Sequence, residues 1–112
     1  MTTIYHNPRC TKSRLTLALL EEKGLSPTVI EYLQTPPDAE ELTRITTLLG
    51  IGPRDLIRTG EAVYKELGLG DASDTDLIKA MVENPILIER PIVLANGKAR
   101  IGRPPENVIE IL

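Results

Sequence analysis

The run Thr2-Thr3-Ile4-Tyr5-His6-Asn7-Pro8-Arg9-Cys10-Thr11-Lys12-Ser13-Arg14 changes character half-way. Thr2 to Tyr5 are β-branched or aromatic and read as a short strand. Asn7-Pro8 breaks it. From Thr11 or Lys12 to Lys23 the pattern is helical, carried by Leu15, Leu17, Ala18, Leu19 and Leu20, and Gly24 is a fitting stop. Apolar residues on more than one side predict a helix largely covered by its neighbours. Thr28-Val29-Ile30-Glu31-Tyr32 reads as a second strand. Strand, helix and strand within about thirty residues form a βαβ unit, so the two strands should be parallel.

Beyond this unit, Thr35-Pro36-Pro37-Asp38 opens a helix that runs to about Leu49 and ends at Gly50. Short helices are expected over 53–57 and 61–67. Ser73 or Asp74 can cap a helix through Glu83, which Asn84-Pro85 stops. Then the period changes. Ile92-Val93-Leu94-Ala95, Asn96-Gly97 and Lys98-Ala99-Arg100-Ile101 form a hairpin signal, with Asn-Gly suited to a type I′ turn. Pro104-Pro105-Glu106 opens a short last helix to Leu112. The expected fold is α/β, one domain over 1–112. It has a mixed sheet of about four strands in the order β-α-β, helical insertion, β-β-α, covered by helices.

Composition removes several functions. The chain has 112 residues and a formal net charge of -3. It has no Trp or Phe and three Tyr, too few for a surface that stacks nucleic-acid bases. No apolar run approaches the ~20 residues of a membrane helix, and the N-terminus lacks a signal-peptide pattern. One Cys (Cys10) and one His (His6) exclude an internal disulfide and a Cys/His zinc site within one chain. The expected address is the reducing cytoplasm. Asp71, Asp74 and Asp76 lack the glycine and closing acid of a calcium loop and read as helix-capping residues.

The small net charge conceals an uneven layout. Residues 1–14 hold Arg9, Lys12 and Arg14 and no acid; residues 90–103 hold Arg90, Lys98, Arg100 and Arg103 and no acid. Between them lie six bases and fourteen acids. Two basic segments brought together would form a local anion site on an anionic protein. Cys10 lies in the first, between a strand and a helix. There the free N–H groups and the helix dipole favour thiolate over thiol, as do nearby cations. A resting pKa of about 8.5 leaves only ~3% thiolate at neutral pH, and a fall of about two units would make it the major form. In Cys10-Thr11-Lys12-Ser13, Ser13 stands where a Cys-x-x-Cys motif has its resolving thiol. A hydroxyl can hydrogen-bond a thiolate but cannot attack a disulfide, so any redox cycle needs an external thiol. His6 could polarise the sulfur directly or through Asn7, or serve only as a structural hydrogen-bonder.

His6-Asn7-Pro8-Arg9-Cys10 with Ser13-Arg14, Glu89-Arg90-Pro91-Ile92-Val93 and Gly102-Arg103-Pro104 together resemble the ArsC-type arsenate reductases of the glutathione- and glutaredoxin-dependent branch. Leu33-Gln34-Thr35-Pro36-Pro37, Leu56-Ile57-Arg58 and Tyr64-Lys65-Glu66-Leu67-Gly68-Leu69 extend the likeness across essentially the whole chain. The resemblance implies a thioredoxin-like fold with an inserted helical region. It implies Cys10 as the nucleophile, His6 as the histidine that helps lower its pKa and Ser13 as the serine that bonds the sulfur. Arg58, Arg90 and Arg103 match the oxyanion-holding arginines, and Pro91 the cis-proline beside the site. It further implies arsenate as substrate, glutathione as co-substrate, glutaredoxin as partner, no bound cofactor, metal, nucleic acid or membrane, and a monomer. The chain stops after Leu112, short of the longer members' C-terminal extension. Two alternatives stand beside this reading. One is an Spx-like RNA polymerase-binding regulator, against which Ser13 argues; the other is a glutathione-coupled thiol enzyme acting on another substrate.

Overall fold

A computed structural model describes residues 1–112. Its four-stranded sheet has the order β2-β1-β3-β4, built from β1 (Thr2–His6), β2 (Thr28–Glu31), β3 (Ile92–Ala95) and β4 (Lys98–Ile101). β1 and β2 are parallel, with Thr3 opposite Thr28 and His6 opposite Glu31. β3 runs antiparallel to both β1 and β4. This is the thioredoxin-like, mixed α/β sheet expected from the sequence.

The chain divides into two compact units, Met1–Thr35 with Arg90–Leu112, and Pro36–Glu89. The first holds the whole sheet, helix α1 (Thr11–Glu22) and a 3-10 helix (Pro105–Ile111). Its core joins Ile4, Val93 and Ala95 to Leu20 of α1 and to Val108 and Ile111. Ile4 faces Val93 across the β1–β3 ladder, so period-2 alternation puts these apolar side chains on one sheet face. The hairpin turn takes the conformation its residues favour, with Asn96 at φ 53° and Gly97 at φ 73°.

Two expectations for this unit are corrected. Helix α1 is not largely covered: its buried residues are Ser13, Thr16 and Leu20, and Leu15 is half exposed. Positions three or four apart form one stripe, and that stripe is the buried one; Leu17 and Leu19 beside it pack against the core only in part. The last helix is 3-10 over Pro105–Ile111 rather than an α-helix to Leu112. It still seals the core, because Val108 and Ile111 fall three residues apart and eclipse in a 3-10 helix.

The second unit is helical: α2 (Ala39–Leu49), α3 (Pro53–Leu56), α4 (Ala62–Glu66) and α5 (Asp74–Glu83), with 3-10 turns at Leu69–Asp71 and Pro85–Leu87. The Asp38 side chain accepts from the Glu41 N–H at 2.8 Å and caps α2; Ser73 accepts from the Asp76 N–H at 3.2 Å and caps α5. Gly50 ends α2 in the left-handed region at φ 72°. Leu42, Ile45, Leu56, Leu77, Met81 and Leu87 are buried. An isolated antiparallel bridge pairs Ile57, just after α3, with Ile88 near the end of the unit's chain. No helix of the protein is long and apolar enough to cross a membrane.

Candidate active site

Cys10 occupies the N-cap of α1, with φ −92° and ψ 122°. Its own N–H donates to Asn7 O at 3.0 Å, and its carbonyl accepts the first helical bond, from Arg14 N, at 3.0 Å. The loop before it is braced throughout. Asn7 Oδ1 accepts from Arg9 N at 3.0 Å, and Arg14 Nη1 reaches back to Pro8 O at 2.9 Å. The first turn of α1 contains no acid. Free N–H groups at a helix start therefore meet a sulfur with no carboxylate in that turn to oppose its ionisation.

The thiol lies below its ordinary value. Partial burial is the largest single influence and opposes ionisation. It is outweighed by a hydrogen bond from the Ser13 backbone, by the hydrogen bond and charge of the Arg90 side chain, and by a bond from the Lys12 backbone. Arg103 approaches as well, with Nη2 3.5 Å from the sulfur while its Nε donates to Arg90 O at 2.8 Å. The second basic segment thus does meet the first, but through Arg90 and Arg103. Arg100 is turned to Glu110 at 3.3 Å. Within the first segment Lys12 contributes its backbone to the thiol, and Arg14 braces the loop.

Ser13 departs from its expected role. Its hydroxyl lies 2.6 Å from His6 Nδ1 and accepts from Asn7 N at 3.0 Å, so the serine engages the sulfur through its backbone N–H instead. His6 is buried, and burial is the main reason its pKa is lowered; Glu31 raises it and Arg14 lowers it further. A neutral imidazole can accept the Ser13 proton at Nδ1, which leaves that hydroxyl no proton for sulfur. His6 and Ser13 together hold the loop under Cys10.

Two approaches were not legible from spacing. Gly102 N donates to Pro91 O at 2.9 Å, and a Cβ on Gly102 would lie 2.5 Å from Thr16 Oγ1 and 2.8 Å from Pro91 Cγ. Gly102 is thus the contact that lets Arg90-Pro91 and Arg103 close on α1; the Gly-Arg-Pro run was its only sequence signal. The Arg90–Pro91 peptide is cis, as is Arg103–Pro104. Arg58 belongs to the second unit. There its Nε meets Glu61 at 3.1 Å and its Nη1 meets Glu89 at 2.9 Å, two partners that the motif around it did not disclose. No cluster of three or more His, Cys, Asp or Glu side chains is arranged to hold a metal ion.

The ArsC family profile matches residues 5–111. The chain belongs to the ArsC family. Among ArsC relatives, the Escherichia coli (strain K12) protein YfgD is 59% identical over 97% of this chain and 94% of its own length. The arsenate reductase of Neisseria meningitidis serogroup A is 52% identical over 97% of this chain and 96% of its own. Among solved structures, the arsenate reductase from Vibrio cholerae superposes with a TM-score of 0.96 at 58% identity, covering 99% of this chain and 97% of that one.

Proposed function

We propose that this ArsC protein reduces arsenate to arsenite, with glutathione and glutaredoxin as external reductants in the reducing cytoplasm. The observation that carries the reading is Cys10 at a helix N-terminus with Arg103 at 3.5 Å and Arg90 lowering its pKa. Arginine presents planar, permanently charged donors matched to a tetrahedral oxyanion. Without such cations, attack of an anionic thiolate on an anionic substrate would be repulsive.

In the proposed sequence the Cys10 sulfur attacks arsenic and displaces one oxygen, which leaves as water once protonated. A sulfur–arsenic(V) ester results. The glutathione sulfur then bonds to the Cys10 sulfur. The S–As bond breaks and its electron pair stays on arsenic, which leaves as arsenic(III). The Cys10–glutathione disulfide needs an external thiol, because Cys10 is the only cysteine; glutaredoxin supplies it. Arg90 and Arg103 hold the oxyanion, and the His6–Ser13 pair positions the loop. Arg58 is the third oxyanion arginine by resemblance, and in that role it would have to leave or share Glu61 and Glu89.

The test is NADPH oxidation coupled through glutathione reductase, glutathione and glutaredoxin. Arsenate-dependent turnover that disappears in Cys10→Ser is expected. Folded protein without arsenate-dependent turnover would sink the reading, and deglutathionylation without arsenate would then identify a thiol enzyme of another substrate.

A further inference from the structure

A cavity of about 240 Å³ opens beside the Cys10 loop, on the side of β2. His6, Asn7, Arg9, Glu31, Leu33 and Gln34 are among its lining residues. It lies at the carboxyl ends of the parallel strands β1 and β2, where His6 and Glu31 are register partners. Ligands of open α/β sheets bind beyond the carboxyl ends of the strands. The volume is below the roughly 300–1,000 Å³ of pockets for whole drug-sized ligands, so it suits a head group.

The charges on its walls specify which head group. Arg9 and Glu31 carry opposite charges, and neither is ion-paired. A simple anion would be attracted by Arg9 and repelled by Glu31; a simple cation meets the reverse. A zwitterionic α-amino acid satisfies both, with its carboxylate on Arg9 and its ammonium on Glu31. The Gln34 side chain offers a donor and an acceptor to either group. Leu33, 40% exposed, gives an apolar wall for methylenes.

We propose that this cavity binds the free α-amino-acid end of the thiol co-substrate, the γ-glutamyl group of glutathione. The inference rests on the glutathione-coupled reading above and adds the place where the tripeptide is anchored. Arg9 directly precedes Cys10, with about 3.8 Å between adjacent α-carbons. The γ-glutamyl-to-cysteinyl span is roughly two extended residues, about 7 Å. A tripeptide held by its glutamyl end beside Arg9 is therefore long enough to reach the Cys10 sulfur.

The experiment is binding of S-methylglutathione, which cannot react, to the whole chain, followed by calorimetry and by amide chemical shifts. S-methylcysteinylglycine, lacking the glutamyl group, is the comparison ligand. Shifts centred on Arg9, Glu31 and Gln34 are expected, with affinity at least about tenfold weaker for the truncated ligand. Arg9→Gln and Glu31→Gln should each weaken S-methylglutathione by about tenfold and leave the truncated ligand unaffected. Both are surface changes, and circular dichroism checks their folding. Equal binding of the two ligands, no binding, or shifts centred away from Arg9, Glu31 and Gln34 would each overturn the proposal. Arsenate turnover is measured in parallel. Turnover without binding here removes this inference alone, whereas glutamyl-dependent binding without turnover removes only the arsenate reading.

Discussion

Cys10 carries the chemistry, and its surroundings divide into what the sequence announces and what only the fold supplies. An acid-free basic run around a cysteine at a strand–helix junction is visible in the sequence. So is a second such run containing Arg90 and Arg103. The cations at the thiol are Arg90 and Arg103, eighty or more positions away, and the first turn contributes backbone N–H groups rather than side-chain charges. Ser13 shows the limit in the other direction. A serine three residues after a cysteine looks aimed at sulfur, yet a buried histidine beside it takes up the hydroxyl. Residue identity states donor capacity; only packing decides the recipient. The thiol should therefore titrate below the free value of about 8.5, read from the iodoacetamide rate against pH. A midpoint at or above that value would refute the assignment. Arg90→Lys should raise the midpoint and lower arsenate turnover by at least about tenfold, because a point charge does not reproduce a planar fork.

At the scale of elements, the signals that held were those with a local cause. Asn96-Gly97 fixes the hairpin through positive φ, Gly50 ends α2, and Asp38 and Ser73 cap their helices through their own side chains. The elements misread were those decided by neighbours. Leu15 and Ala18 make α1 look apolar all round, but only the Ser13–Thr16–Leu20 stripe is buried. The 3-10 turns at Leu69–Asp71 and Pro85–Leu87 have no periodic pattern to read. Gly102 joins both kinds of information, since its lack of a side chain is visible but its need for one to be absent is not. Gly102→Ala would push a carbon into Thr16 and Pro91. The expected cost is about 1–3 kcal/mol of stability from overpacking, measured by urea unfolding. The thiol midpoint should rise as well, because Arg90 and Arg103 flank the displaced backbone. Thr16→Ala added to Gly102→Ala should recover part of both effects by removing the nearest clash. No change in either quantity would show that the close approach is not needed.

For the molecule as a whole, the order β-α-β, helices, β-β-α was legible because each period change in the sequence is abrupt. The division into two units was legible only as an inserted helical stretch, since no change of composition marks the boundaries at Thr35-Pro36 and Glu89-Arg90. What the whole chain registers is the difference in proton affinity of His6 and Cys10 between folded and unfolded states. His6 has a folded pKa below its ordinary value, chiefly through burial. The unfolded chain therefore takes up a proton that the folded site resists. Stability from His6 is complete above about pH 6.5 and is lost as pH falls through the lower folded value. Cys10 obeys the same sign in a window whose upper edge is the free-thiol value of about 8.5. Its folded pKa is also depressed, so its contribution is present above the free-thiol value and lost as pH falls through the folded one. Thermal unfolding across the pH scale should show the midpoint rising with pH up to about 6.5 through His6 and up to about 8.5 through Cys10. His6→Gln should flatten the rise that ends near pH ~6.5 while leaving the one that ends near ~8.5, and Cys10→Ser should do the reverse. If the acidic slope survives in His6→Gln, the carboxylates rather than His6 set the acid sensitivity of the fold.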